Sequence, residues 1–407
     1  MHNARHTRSR AISPMSFTSR SSIVLAISVC LWGWVQAAPV APSIQPSGPS
    51  GVLPVTVVIG SAAPLTGPLA AYGADNTDGA RMAIDALNRQ HITIAGRPVT
   101  WVLDAQDDRG DPKRAAEVAR KFVAAHVNGV VGHLDSSCTA AASPIYFKAG
   151  IPEITPSSSD PKLAQQGFDT FFRIIANDNA IGAGLALYAR NGLLAKTAVV
   201  VDDRGPDGTS LGHAFSRVAR QVGLQIEAHE TIEADVTDFS SLLDKIKAAN
   251  PDVVFFGGMA AQAGPMLQQM RGMGIKARLL GGDGICTPEL ARLAGTAANS
   301  DVICADGGVP VARMPGGEAW QRRFTAQFGP NAFELYSPYA YDATMVLAHA
   351  MMKAGSTNPA VYRHDIRHLD YDGVTKNDIR FNRDGELVDP AITISSFPEG
   401  RKTALSR

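Results

Sequence analysis

Apolar residues follow two alternating patterns along the chain: short continuous runs, and longer segments with apolar positions three or four residues apart. The continuous runs are rich in β-branched residues and predict buried strands, whereas the spaced segments predict amphipathic helices. Strands that alternate with helices in this way form parallel βαβ units with right-handed crossovers. The predicted strand cores lie at residues 55–59, 99–103, 130–131, 151–155, 171–175, 198–201, 253–256 and 278–280.

The polar segment Asn177-Asp178-Asn179 separates the first five of these strands from the rest. We therefore predict an α/β fold with two doubly wound, Rossmann-like lobes built on parallel sheets. From residue 307 onwards the chain is mostly helical, with a short β pair predicted at 379–381 and 391–395. This material is expected to complete the two lobes, which requires the chain to cross between them more than once.

The N-terminal region differs in composition from the rest of the chain. Four arginines precede an uncharged apolar run at 23–35, and Ala37 follows at a position suited to cleavage by a signal peptidase. Residues 1–37 are therefore predicted to be a secretory signal peptide cleaved near Ala37, followed by a flexible segment at 38–52. The apolar run is too short for a comfortable membrane span, so the mature protein is expected to be periplasmic and not membrane-spanning.

Composition narrows the classes of function. The chain of 407 residues has 38 basic and 38 acidic side chains, and the signal removes four arginines and no acid, which leaves a net charge of −4. Balanced charge with 45% hydrophobic residues disfavours disorder and a nucleic-acid footprint. Nucleotide-binding glycine loops, a nucleophile elbow and zinc-ligand spacings are all missing from the sequence. We therefore expect neither an enzyme nor a cofactor.

Export changes the interpretation of the cysteines, because the compartment outside the inner membrane is oxidising. Cys286 and Cys304 each follow an apolar run and can bridge adjacent strand ends. Cys138 then remains free. A catalytic thiol would need a base such as His133, and a small buried thiol is the more common role.

Polar side chains follow predicted strands in both lobes, at the sheet edge where open α/β folds bind ligands. Hydroxyls and free helix N–H groups suit a carboxylate, and an aspartate suits an ammonium, so a zwitterion held between the lobes would use both walls. The alternative is that the serines only cap helices and that Asp283 is only a turn residue. The candidate residues are Tyr72, Ser136, Ser157, Ser158 and Ser159 in the first lobe, and Asp207 and Asp283 in the second.

The segments that carry a family resemblance are A-P-L-T-G-P-L-A-A-Y-G (63–73), D-D-R-G-D-P-K-R-A (107–115), V-G-H-L-D-S-S-C-T-A-A-A-S-P-I-Y (131–146), G-I-P-E-I-T-P-S-S-S-D-P-K-L (150–163), D-F-S-S-L-L-D-K-I-K-A-A-N-P-D-V-V-F-F-G-G (238–258) and A-Y-D-A (340–343). In these segments the chain resembles the periplasmic substrate-binding proteins of branched-chain amino acid ABC transporters, of the leucine/isoleucine/valine type. The resemblance extends from about Val55 to Phe397 and implies the type I periplasmic binding fold, whose two lobes are joined by three crossovers that form a hinge. Lobe 1 is then expected at 53–176 and 307–372, and lobe 2 at 177–306 and 373–407.

The resemblance also implies roles for single residues. Ser136 matches a serine that binds the amino acid carboxylate, and the positions of Ser157 and Ser159 present backbone and hydroxyl groups to the same ligand. Tyr72 matches a tyrosine that lines the side-chain pocket. Asp283 takes the place of an acidic residue that pairs with the ammonium group.

Several positions depart from the family pattern. Met259 stands where leucine-type proteins have a tyrosine against the ligand, and the turn around Asp207 lacks the expected aromatic residue. Gly110 and Asp135 replace a cysteine pair of enteric members, and Lys376 replaces a glycine. The side-chain preference is therefore open, and Cys286 with Cys304 is the remaining pair for a disulfide.

The function implied is that of a non-enzymatic receptor that delivers an amino acid or related small carboxylate to an inner-membrane ABC permease. The alternative is a periplasmic sensor that presents its ligand to a signalling partner.

Overall fold

The computed structural model describes residues 53–405 except residues 234, 331 and 334, so the predicted signal peptide, its cleavage site and the whole of the predicted flexible segment lie outside the described residues. The strands are β1 Val55–Ala63, β2 Thr93–Ile94, β3 Arg97–Asp107, β4 Gly129–Gly132, β5 Glu153–Thr155, β6 Phe171–Arg173, β7 Thr197–Asp202, β8 Gln225–Thr231, β9 Val253–Gly257, β10 Arg278–Gly281, β11 Val302–Gly307, β12 Ile392–Ser396 and β13 Thr403–Ala404.

Helices connect these strands on both faces of the sheets. They are α1 Ala70–Arg89, α2 Pro112–Ala124, α3 Ser136–Ala149, α4 Lys162–Gln165, α5 Asp178–Leu187, α6 Pro206–Gln221, α7 Ser240–Ala249, α8 Ala260–Gly272, α9 Pro288–Ala294, α10 Gly317–Phe328, α11 Ser337–Ala354 and α12 Pro359–Ile366.

Two sheets form the cores of two lobes. The first has the order β2-β3-β1-β4-β5-β6 and is parallel except for the short β2–β3 pair. The second has the order β13-β12-β11-β10-β9-β7-β8, with parallel strands from β11 to β8 and an antiparallel edge formed by β12 and β13. The predicted architecture of two α/β lobes with mostly parallel sheets is confirmed.

The burial of each strand explains whether its sequence contains a continuous apolar run and was therefore predicted. Every residue of β9 is buried, because helices cover both faces of a parallel sheet, and its sequence is correspondingly a continuous apolar run. β8 was missed by the sequence analysis. It is an edge strand whose residues alternate between exposed and half-buried, so its sequence Q-I-E-A-H-E-T contains no apolar run.

The chain passes between the lobes three times: between β6 and α5, after β11, and before β12. The helix α11 returns to the first lobe and packs against α1. Its start is held by the buried carboxylate of Asp75 on α1, which accepts hydrogen bonds from the backbone N–H groups of residues 335, 336 and 337 at 3.0, 2.5 and 3.0 Å. A residue far away in the sequence therefore satisfies the free donors of this helix start.

The segment after α12 differs from the prediction. Ile379 and Phe381 lie in the hydrophobic core of the first lobe, whereas the predicted lobe boundary places them in the second. The β pair predicted between 379–381 and 391–395 is wrong: Phe381 pairs with Leu387, and β12 pairs with β11. The physical reason is that β11 offers an open sheet edge, which satisfies more backbone groups of β12 than an isolated hairpin would.

Cys286 and Cys304 are joined by a disulfide. Cys304 lies on β11, and Cys286 follows a short 3-10 turn at Asp283–Ile285 after the neighbouring strand β10. Both are buried in the second-lobe core. The bond therefore fixes the turn that carries Asp283 to the adjacent strand.

Removal of this bond should destabilise the second lobe. Replacing both cysteines with alanine is expected to lower the free energy of unfolding by about 2–4 kcal/mol, because the unfolded chain regains the freedom of a closed loop. Urea unfolding followed by circular dichroism measures the loss, with the wild type under reducing conditions as the matched control. An unchanged midpoint in both samples would show that the bond contributes nothing.

Candidate functional site

All eight residues predicted for the site line one cavity of about 200 Å³ between the lobes. The first lobe supplies Tyr72 from α1, Ser136 from the start of α3, and the three serines after β5. The second lobe supplies Asp207 from α6 and the residues that follow β9 and β10, Met259 and Asp283. Other residues line the cavity that the sequence pattern does not predict for the site: Leu69, Leu134, Ser137, Gly284 and Tyr336. Gly110 and Asp135 also line it, and in the sequence they are notable only as departures from the family pattern.

The serine loop, residues 155–160, is held by hydrogen bonds to the turn between β4 and α3. The hydroxyls of Thr155 and Ser158 donate to the carbonyl oxygen of His133 at 3.0 and 3.1 Å, and that of Ser157 donates to the carbonyl oxygen of Leu134 at 2.7 Å. These buried carbonyls would otherwise lack partners. The hydroxyls of Ser157 and Ser158 therefore shape the wall, and they do not cap a helix.

Ser136 is the first residue of α3 and is buried. Its hydroxyl oxygen accepts a hydrogen bond from the N–H of Asp160 at 3.1 Å. The helix cap is Asp135, whose carboxylate accepts from the N–H of Cys138 at 3.0 Å and from the hydroxyl of Ser137 at 2.7 Å. The N-terminus of α3 thus already holds one negative charge, supplied by its own cap.

Arg173 lies behind the serine loop and was not selected by the sequence analysis. It is completely buried, and its guanidinium donates to the carbonyl oxygens of Ser158 at 3.0 Å and Asp160 at 2.9 Å. The same group forms a two-pronged ion pair with Glu386. A charged residue on an otherwise apolar strand was the available signal, because such a residue needs buried partners.

Asp283 faces the first lobe across the cavity. The hydroxyl of Tyr336, the residue before α11, donates to its Oδ2 at 3.2 Å, and the N–H of Gly284 donates to its Oδ1 at 3.0 Å. Burial and the nearby Asp306 raise the pKa of Asp283 to about 6. Burial is also the main reason why the pKa of Asp207 rises to about 7, with the Ser136 hydroxyl acting in the opposite sense.

A second cavity of about 90 Å³ adjoins the first and shares Ser159, Asp207, Met259, Asp283 and Gly284 with it. Two further carboxylates, Asp178 and Asp203, line this extension. Asp178 is only 1% exposed, and its Oδ2 has no hydrogen-bond partner among the described residues.

The groups next to the cavity, His133 and Cys138, are not arranged for catalysis, and the described residues are not arranged to bind a metal ion. The imidazole of His133 lies between the carboxylate of Asp108 at 2.7 Å and the hydroxyl of Tyr146 at 3.1 Å. Burial raises the pKa of the Cys138 thiol, which opposes formation of a nucleophilic thiolate. Across residues 53–405, leaving aside the three undescribed positions, no group of three or more acidic, histidine or cysteine side chains is placed to hold a metal ion.

Residues 56–395 match the family model of periplasmic binding proteins. The chain belongs to this family. The family predicted from the sequence motifs is therefore confirmed, and the protein is a binding protein rather than an enzyme.

Relatives of this periplasmic binding protein cover most of its length. An amino acid binding protein of Pseudomonas aeruginosa is 35% identical over 306 residues, which are 75% of this chain and 80% of the relative. A leucine-, isoleucine-, valine-, threonine- and alanine-binding protein of the same species is 31% identical over 339 residues, or 83% and 89% of the two chains.

The structural comparison gives the same result. A branched-chain amino acid transporter substrate-binding protein of Streptococcus pneumoniae, solved with isoleucine, has a TM-score of 0.77 and 27% identity, with 86% of this chain and 99% of that chain covered.

In the part of the chain that the structure describes, no helix is both long and apolar enough to cross a membrane.

The buried carboxylates predict how stability of this binding protein depends on pH. Burial, followed by the charges of Asp283 and Asp207, raises the pKa of Asp178 to about 8, whereas the Ser159 and Ser210 hydroxyls act in the opposite sense. Between the ordinary value of 3.8 and about 8 the folded state holds a proton that the unfolded state releases. Stability of the ligand-free protein should therefore fall as pH rises through this window.

Asp178→Asn should reduce that dependence by up to about 1.4 kcal/mol per pH unit, the value for one retained proton. Melting temperatures at pH 5 and pH 8 measure it, with the exposed Asp244→Asn as the matched control. Asp207, Asp283 and Asp203 face the same space and remain in the variant, so some pH dependence should persist. Identical pH profiles for wild type and Asp178→Asn would contradict the assignment.

Proposed function

We propose that the mature protein is a periplasmic receptor that binds an amino acid, or a related small carboxylate, between its lobes and delivers it to an ABC permease. The observation that carries this proposal is the cavity between the lobes, with a hydroxyl-rich wall on one side and carboxylates on the other. The relatives support it, since one is named for amino acid binding and a solved neighbour holds isoleucine. The secretory signal predicted at residues 1–37 supports the periplasmic location.

The ammonium group of the ligand is assigned to Asp283. This carboxylate is positioned by Tyr336 and by the N–H of Gly284, and it lines the cavity opposite the serines. A buried carboxylate that receives a cation gains a charge-assisted hydrogen bond. Although the pKa of Asp283 is raised to about 6, the carboxyl group is still mainly ionised at neutral pH and can pair with an ammonium group.

The carboxylate group of the ligand is assigned to Ser136 and Ser159. The carbonyl of Ser158 points to Arg173, and the C=O and N–H of a trans peptide point in opposite directions, so the N–H of Ser159 points away from Arg173. Ser159 also lines the cavity. The hydrogen bonds that hold the serine loop to the β4–α3 turn come from the hydroxyls of Ser157 and Ser158, and the hydroxyl of Ser159 is not among them. The backbone N–H of Ser159 can therefore serve a bound anion, whereas its hydroxyl also lies close enough to Asp178 to oppose the rise in the pKa of that carboxyl.

Binding is coupled to closure of the lobes in this proposal. Contacts that join the lobes near the cavity include the hydroxyl of Tyr336 with Asp283, the hydroxyl of Ser210 with the carboxylate of Asp160 at 3.5 Å, and the N–H of Asp178 with the carbonyl oxygen of Ser159 at 2.9 Å. Lys376 donates to the carbonyl oxygens of Val388 and Asp389 at 2.6 and 3.2 Å, beside the third crossover. A closed cavity excludes water and strengthens the hydrogen bonds to the charged ligand groups.

Loss of either headgroup contact should weaken binding strongly. Ser136→Ala and Asp283→Asn are each expected to reduce affinity by roughly 2–4 kcal/mol, or about 30-fold to about 1,000-fold, because each leaves a buried charged group of the ligand without its partner. A thermal-shift screen of the standard L-amino acids selects the ligand, and calorimetry measures both variants.

The matched controls are Ser240→Ala and Asp244→Asn on the exposed start and surface of α7. They should bind like the wild type. Unchanged affinity in both Ser136→Ala and Asp283→Asn would refute the headgroup assignment, and absence of any amino acid ligand would refute the proposed function.

Removal of the cross-lobe hydrogen bond should favour the open form. Tyr336→Phe deletes one hydroxyl and is expected to cost the closed form about 1.5–3 kcal/mol, as for a hydrogen bond to a charged group. Small-angle scattering of the ligand-free variant should give a larger radius of gyration than the wild type. Tyr188→Phe, at a position outside the cavity, is the control, and equal radii for all three proteins would count against this role.

A further inference from the structure

The two adjoining cavities hold more carboxyl groups than one ammonium group can pair with. Five aspartates line them, Asp135, Asp178, Asp203, Asp207 and Asp283, and none of the other residues that line either cavity is a lysine, arginine or histidine. Charges of one sign in a confined, poorly hydrated space repel each other unless a counter-charge is present.

Three of these carboxylates are held by a backbone N–H group or by a tyrosine hydroxyl of the protein. Asp135 caps α3 through the N–H of Cys138. Asp203 accepts a hydrogen bond from the N–H of Gly205 at 2.9 Å, at the start of α6. Asp283 is bonded to Tyr336 and is the proposed partner of the ligand's ammonium group.

Asp178 and Asp207 interact with serine hydroxyls, Asp178 with Ser159 and Ser210 and Asp207 with Ser136. Each still keeps one buried oxygen atom, Oδ2 of Asp178 and Oδ1 of Asp207, without a hydrogen-bond partner among the described residues. Oδ2 of Asp135 is also buried without a partner, but the other oxygen of that carboxylate caps α3. Asp178 is 99% buried and lines the smaller cavity, which extends from Asp283 towards it. A buried ionised carboxylate without a partner is costly, so these oxygen atoms of Asp178 and Asp207 indicate a missing donor.

Cations of the protein itself do not fill this role. The guanidinium of Arg173 is bonded to Glu386 and to two carbonyl oxygens, and Lys402 pairs with Asp306 at 2.6 Å. A metal ion is not indicated either, since the described residues contain no suitable cluster of three ligands. The remaining source of positive charge is the bound molecule.

The nonpolar part of the smaller cavity is limited. Leu211 and the half-buried Met259 are its only large apolar lining residues within the described chain, whereas Asp178, Asp203 and Asp207 surround the rest. A wholly hydrocarbon side chain placed there would bury these carboxylates without giving them a hydrogen bond. A side chain that ends in an amine or guanidinium would satisfy them.

We propose that the ligand is an amino acid with a second, cationic group at the end of its side chain, and that Asp178 and Asp207 bind that group. This proposal rests on the receptor function proposed above. Asp283 then holds the α-ammonium group, Ser136 and Ser159 hold the carboxylate, and the side chain runs along Met259 into the smaller cavity. The pKa values of Asp178 and Asp207, raised by burial, fit carboxylates that await a cation.

Three matched ligand pairs test the proposal by calorimetry on the wild-type mature protein. They are lysine with norleucine, ornithine with norvaline, and arginine with citrulline, which differ in charge and little in shape. At least one cationic member should bind about 30-fold or more tightly than its neutral partner, as expected when one member of a buried charge pair is absent. Neutral members that bind as tightly as all three cationic members would overturn the proposal and leave the receptor function standing.

The variants Asp178→Asn and Asp207→Asn separate the side-chain site from the headgroup site. Each should weaken the favoured cationic ligand about tenfold or more and change the affinity for its neutral partner less than threefold, so the charge preference should shrink. Circular dichroism confirms folding, and the exposed Asp244→Asn is the matched control. An undiminished preference in both variants would overturn the assignment of the two aspartates.

The diamine cadaverine, which is lysine without its carboxylate, tests the proposed function independently. It should bind at least about 30-fold more weakly than lysine if Ser136 and Ser159 hold a carboxylate. Tight binding of cadaverine, together with no binding of any of the six amino acids, would refute the amino acid receptor itself. That outcome differs from the one in which norleucine matches lysine.

Discussion

The guanidinium of Arg173 joins three parts of the chain that are far apart in sequence. It stands at the end of β6, pairs with Glu386 in the segment before the third crossover, and donates to two carbonyl oxygens of the serine loop. A buried cation requires its donors to be satisfied, so these parts can pack in only one arrangement. The wall of the cavity is therefore positioned by a residue that does not line the cavity.

The serine loop extends the same constraint towards the ligand site. Backbone carbonyls exposed by the end of β4 must find donors, and the hydroxyls of Thr155, Ser157 and Ser158 supply them. Consequently two of the three serines serve the fold, while Ser159 and Ser136 remain suited to the ligand. A hydroxyl-rich sequence thus combines structural and binding roles that its composition does not distinguish.

The space between the two lobes buries several carboxyl groups close to one another. Asp207 of the second lobe lies near both Asp135 of the first lobe and Asp283, and burial disfavours the ionised forms of Asp207 and Asp283. A cationic ligand relieves this cost, whereas the empty closed form retains it. The coupling of ligand binding to closure can therefore rest on electrostatics as well as on direct contacts between the lobes.

The sequence by itself determined the two α/β lobes, the family and eight residues that meet in one cavity. These follow from local patterns: apolar runs mark strands buried on both faces, and polar residues after such strands meet at one edge of a sheet. It missed β8, because an edge strand has no continuous apolar run, and it paired 379–381 with the wrong partner, because pairing depends on which sheet edge is open.

Only the tertiary structure decided which polar groups are already satisfied. The hydroxyls of Ser157 and Ser158 donate hydrogen bonds to buried carbonyl oxygens, and the carboxylate of Asp135 caps its own helix. Asp178, in contrast, is buried and its Oδ2 has no hydrogen-bond partner among the described residues. Nothing in the residue types distinguishes these cases. Satisfaction of a hydrogen-bonding group depends on neighbours brought close by folding, and a linear sequence does not contain those distances.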